Sequence, residues 1–140
     1  MSRTTPYPHR GRDLDTREEI AEFVTRFYRE IAQDERFHDY FDTLAHVDWN
    51  AHTLDLTDFW VGMLLGEPHD PADHVIEAHR WLHDVDPFDT ALFDQWLEIL
   101  DTTLDAGWTG PLAEAARHRG HGIAWAMAKR LTGDAARRTS

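Results

Sequence analysis

Four side chains combine a polar tip with a place on an otherwise apolar helical face: Tyr28, His52, His79 and Trp96. His79 belongs to the stretch DPADHVIEAHRWLH, in which Asp70 reads as an N-cap and Pro71 as a residue of the first helical turn. Val75, Ile76, His79 and Leu82 fall at the spacing of one helix face, which directs the imidazole inward. An inward imidazole offers a lone pair to a metal, whereas phenol and indole offer hydrogen-bond donors. Each residue also has an ordinary alternative. His79 fits a hydrogen-bonded core histidine, Tyr28 a core ring whose hydroxyl reaches water, His52 a half-exposed residue near a helix start, and Trp96 a core indole bonded to a carbonyl. The four positions alone leave both readings open.

Other chemistries are easier to discard. The chain has no cysteine, no glycine-rich phosphate loop and no HExxH. Its Ser and Thr residues show no nucleophile beside a base. His79 and His83 lie four apart, but no third zinc ligand is placed to join them. The Glu-x-x-His element of di-iron bundles does not occur. His118 and His121, flanked by Arg117 and Arg119, read as a solvated face. Six tryptophans in so short a chain suit the walls of an apolar pocket. A haem needs this setting: a broad apolar slot, one axial imidazole (His79), and donors such as Tyr28, His52 and Trp96 for a bound diatomic ligand.

The elements that must position these residues all read as helices. Ile20, Phe23, Val24, Phe27, Tyr28 and Ile31 form the stripe of a helix starting near Arg17. DERFHDYF reads as one or two turns, with Phe37, Tyr40 and Phe41 sealing a corner and His38 and His46 facing solvent. A second long helix runs from an Asp48 N-cap to a Gly66 stop, with Trp49, His52, Leu56, Phe59, Trp60, Met63 and Leu64 along its apolar side. Pro87 breaks the His79 helix, and Phe93, Trp96, Leu97, Leu100 and Leu104 mark the next, from Asp89. Pro111 opens a last helix with Leu112, Ala115, Ala116, Ile123, Met127 and Leu131 inward. No strand pattern occurs, so the expectation is all-α, with five or six helices in residues 17–132, a loose lead over 1–16 and a frayed end over 133–140.

The 140 residues suit one domain. A formal charge of −12 argues against nucleic acid and anionic membranes as partners. No apolar run is long enough to span a bilayer, and the N-terminus lacks a signal segment, so a cytoplasmic protein is the expectation.

At the level of motifs the chain resembles the truncated haemoglobins, third group. The likeness covers about residues 18–131 and rests on FYREI with Tyr28, the Phe41 corner, VDWNAH ending in His52, DFWVGMLLGE from Asp58 to Glu67, HVIEAH ending in His79, and FDQWLEIL with Trp96. WNAH followed by FWVGMLLGE is the most specific block, and the double-glycine motifs of the other truncated groups are absent. The resemblance implies a two-on-two helical sandwich holding haem b, with His79 as proximal ligand and Tyr28, His52 and Trp96 lining the distal pocket. It also implies contacts to the cofactor from Phe41, Leu56, Phe59, Trp60, Arg80 and Leu97. RWLHDVDPFDT after His79 is longer than the family pattern, which bears on any contact from Arg80 to a haem propionate. Reversible binding of O2, NO or CO is the leading expectation, in a monomer or weak homodimer. Nitric oxide dioxygenation with a partner reductase, peroxidase-like turnover, and a haem-free helical interaction module are the alternatives.

Overall fold

In the computed structural model, described over residues 11–40, 48–68 and 72–133, seven helices follow one another: α1 (Arg17–Gln33), α2 (Glu35–Asp39), α3 (Trp49–Leu65), α4 (Ala72–Ala78), α5 (Arg80–Val85), α6 (Thr90–Gly107) and α7 (Pro111–Thr132). Local sequence sets most of their ends. The Thr16 hydroxyl accepts the Glu19 N–H, the Asp48 carboxylate accepts from Asn50 and Ala51, and the Asp89 carboxylate accepts from Leu92. Gly66 stops α3 in the left-handed region at φ 78°, where a side chain would be strained. No helix among the described residues is long and apolar enough to cross a membrane.

The layering is two pairs of helices, α1 on α3 and α6 on α7, joined by α1 against α6. The whole predicted stripe of α1 is buried. Phe23 stands at its centre, stacked on Phe27 and edge-on to both Trp60 of α3 and Trp108. Small residues bring α7 close: Ala113, Ala116, Gly120, Ala124 and Ala128 are buried on its inner side. A methyl added at Gly120 would sit 2.3 Å from Leu100 Cδ2 of α6, so a larger residue there would require the Leu100 side chain to shift.

Two expectations are modified. Residues 12–16, read as part of a loose lead, are fastened to the domain: Leu14 is fully buried, Thr109 donates its N–H to the Arg12 carbonyl, and Asp13 accepts the N–H groups of Leu112 and Ala113. Those two N–H groups belong to the first turn of α7, which has no side-chain cap of its own. Second, the stretch ending at His83 is two helices, so the described residues hold seven rather than five or six. The join falls at His79, whose N–H reaches back only three residues, to the Ile76 carbonyl. Its backbone sits at φ −92°, ψ −9°, so the helix tightens and turns there. The long segment after His79 becomes α5. Asp70, Pro71, Phe41 and His46 lie outside the described residues.

Candidate functional site

His79 occupies this turn with its ring directed by its own helix. Nδ1 lies 2.7 Å from the Val75 carbonyl oxygen, one turn earlier. A carbonyl only accepts, so Nδ1 carries the proton and donates, leaving Nε2 as the nitrogen with a lone pair. Burial holds the His79 pKa below the usual imidazole range, which favours this neutral ring. His83, one turn on, is used differently: its Nδ1 accepts the Phe88 N–H at 2.9 Å, and it does not line the cavity that His79 faces.

That cavity is a slot of about 470 Å³ between α3, the α4–α5 pair, α6 and α7. Its walls are mostly apolar, from Leu56, Phe59 and Trp60 of α3, Val75 and Leu82 beside His79, and Phe93 of α6. Ile123 and Met127 close it from α7. Tyr28, His52 and Trp96 all reach it, from α1, α3 and α6. Four polar-tipped residues far apart in sequence therefore share one cavity.

The three other polar-tipped residues pack among aromatic rings. Trp96 packs edge-on against Phe27, and the Tyr28 and His52 rings meet edge to face at 5.9 Å. Burial raises the Tyr28 pKa well above the normal phenol value, offset in part by a hydrogen-bonding contact from Trp96. Indole N–H is a donor only, so any hydrogen bond between the two runs from Trp96 to the Tyr28 oxygen and would leave the phenolic O–H to donate elsewhere. Tyr40, at the corner, donates to the Asp86 carbonyl at 2.9 Å; burial, then Asp86 and Asp89, push its pKa up to about 12.

Phe37, Tyr40, Val75, Trp81, Leu82 and Phe88 also line the slot without having been assigned to the site. Two assigned residues stand elsewhere. Leu97 is fully buried in the helix core and off the slot wall, because Trp96 beside it takes the slot-facing position. Arg80 turns back to Glu77, with two hydrogen bonds of 2.7 and 3.0 Å, and does not line the slot. An exposed i, i+3 ion pair on its own helix satisfies it. Of the two α7 histidines read as a solvated face, His118 is exposed, whereas His121 is half-buried and bonds both Asp101 oxygens at 3.0 Å. No metal-binding cluster occurs among the described residues.

His52 is also held below the usual imidazole range, by burial first, then by the field of His79, against an opposing pull from Asp55. The sign of the linked effect follows. The unfolded chain takes up protons near the ordinary value of about 6.5 that the folded chain refuses, so the stability tied to these groups is full above that pH and is lost below it. The ligand-free protein should unfold at lower urea between about pH 7.5 and about pH 5.5. His79→Gln with His52→Gln should flatten that slope; an unaltered slope would show that neither ring controls it.

No protein-family model matches the chain. The crystal structure of a group III truncated haemoglobin from Campylobacter jejuni superposes with a TM-score of 0.68, over 86% of this chain and 94% of that one, at 22% identity. The chain has the truncated-globin fold. A curated relative, a group 3 truncated haemoglobin of Campylobacter jejuni subsp. jejuni serotype O:2, is 26% identical over 110 residues, spanning 76% of this chain and 84% of its own length. The likeness to the third group read from the motifs is thereby borne out, as is the all-α truncated globin fold. In this fold the slot lies among the motif blocks that carried the resemblance: Tyr28, His52, Phe59, Trp60, His79 and Trp96 all line it.

Proposed function

We propose that this truncated globin binds a b-type haem in the slot, with His79 as the single protein ligand to iron, and that it takes up dioxygen and other diatomic ligands there. The observation that carries the reading is the bond from His79 Nδ1 to the Val75 carbonyl. It fixes the tautomer and ring orientation, as second-shell acceptors do for metal-bound histidines, and directs the basic nitrogen to the slot. The remaining residues fit the group. The walls are aromatic and aliphatic, the volume lies within the range of cofactor pockets, and no second sulfur or carboxylate ligand set competes with the imidazole. The relatives' names supply the chemical class, haemoglobin.

Haem iron, when bound, supplies a coordination position for a small diatomic molecule. The protein's part is the surroundings of that position. Tyr28 O–H, with the Trp96 N–H beside it on the slot wall, presents a donor toward any ligand atom that gathers negative charge, and its buried, raised-pKa phenol stays protonated. His52, one turn into α3, sits between Tyr28 and Trp49 and separates the pocket from the helix start. Leu56, Phe59 and Trp60 exclude water from the same side.

The test is an absorption spectrum of the purified protein with added haem, for the wild type and His79→Gly, with and without imidazole. The wild type should give a ferrous five-coordinate histidine spectrum, His79→Gly should lose it, and imidazole should restore it. A wild-type protein that stays colourless overturns the haem reading and leaves a helical interaction module. An unchanged spectrum in His79→Gly moves the ligand to another residue.

A further inference from the structure

Among the described residues, the slot has no permanent cation on its rim. Between Arg36 and Arg80, and again between Arg80 and Arg117, the sequence contains neither lysine nor arginine. These stretches supply α3, α4, α6 and most of α5, and among the described residues no lysine or arginine lines the slot. Two guanidinium groups come near it. Glu77 engages both, Arg80 through two bonds and Arg130 at 3.2 Å. Acidic residues stand close by instead: Asp55 on the slot wall, and Asp86 and Asp89 beside Tyr40.

A cofactor bearing carboxylates must keep them at the solvent edge, because burying an unpaired charge is costly. The exposed residues of the slot wall are Asp55, His74, Ala78 and Trp81. Asp55 repels an anion, Ala78 is apolar, and Trp81 has one neutral donor. His74 has two ring nitrogens and can carry charge, and its ring makes no hydrogen bond or ion pair with another described residue. Tyr40 has already committed its hydroxyl to Asp86.

We infer that His74, on the first turns of α4, is the residue that receives a carboxylate of the bound cofactor, in place of the arginine or lysine that the rim lacks. The inference rests on the haem reading above. It makes retention of the cofactor depend on a histidine and on the engagement of Arg80 by Glu77.

The experiment is the rate at which haem leaves the loaded protein for an excess of apomyoglobin. His74→Ala should release haem about tenfold faster than the wild type, the scale of one charge-assisted hydrogen bond. His74→Lys should hold haem at least as well as the wild type. Glu77→Gln added to His74→Ala should slow release again, because it frees Arg80. With iron protoporphyrin dimethyl ester, whose carboxylates are blocked, His74→Ala and the wild type should release at the same rate. Equal rates for His74→Ala and wild type with ordinary haem overturn the inference, and so does an equal acceleration in His74→Lys or with the ester. A wild type that takes up no haem is a separate outcome, failing the haem reading itself.

Discussion

Replacing both Tyr28 and Trp96 by phenylalanine should speed release of dioxygen from the haem-loaded protein by about 10- to 100-fold, the equivalent of about 1.5–3 kcal/mol for a hydrogen bond to a charged acceptor. The two residues line the same slot, and each carries a donor: the phenolic O–H of Tyr28 and the indole N–H of Trp96. Tyr28→Phe alone removes one donor and leaves the Trp96 N–H in the same space. The single variants should therefore change the rate less than independent donors would, and the two effects should not multiply. Stopped-flow mixing of the oxygenated protein with carbon monoxide or dithionite reads the rate. A double variant that releases dioxygen at the wild-type rate would take both residues out of ligand stabilisation.

Phe23→Ala should destabilise the protein by about 3–5 kcal/mol, among the largest losses a single side chain can cause. Phe23 is fully buried, and rings from three other places in the chain converge on it: Phe27, Trp60 and Trp108. They cannot collapse into the gap. Trp108 is held by a 2.9 Å bond from its indole to buried Glu19, and Trp60 stands on the rigid crossing at Gly120. Against a typical domain stability of about 5–15 kcal/mol, such a loss brings the folded state close to its limit. Urea unfolding followed by circular dichroism measures it, with Leu54→Ala, which is 57% exposed, as the control expected to change little. Near-equal midpoints for Phe23→Ala and Leu54→Ala would contradict the packing described.

The difference between α1 and α3 shows where sequence patterning stops being informative. Helix α1 has one buried face, and every stripe residue named from its spacing lies inside. Helix α3 meets the core with Thr57, Trp60 and Val61 and the slot with His52, Leu56 and Phe59, so apolar residues occur around much of its girth. Its stripe was legible as apolar, but not as two surfaces with different duties. The pairing of His79 with the three donors followed from spacing, whereas the helix break at His79 did not. A backbone bond to i−3 in place of i−4 leaves no trace in residue periodicity. Arg80 was assigned by position, and competition from Glu77 decided otherwise. Leu97 was displaced by its neighbour Trp96, a one-residue difference that a broad stripe cannot resolve. The fastening of residues 12–16 was illegible for another reason: Asp13 meets residues 99 and 100 positions away, and Glu19 meets one 89 away. Local pattern has no access to such distances.

Helix α5 buries none of its six residues outright, and its inward side chains, Trp81 and Leu82, face the slot. This segment owes little of its order to the rest of the chain, and its inner support comes from whatever guest lies against it. By mass action a tight-binding guest favours the ordered form, and it does so most for the portion with the fewest contacts of its own. The two helices that meet at His79 would thus combine grip and pliancy: on the proposed reading, the same short stretch that seizes a cofactor is the one whose own persistence the cofactor underwrites.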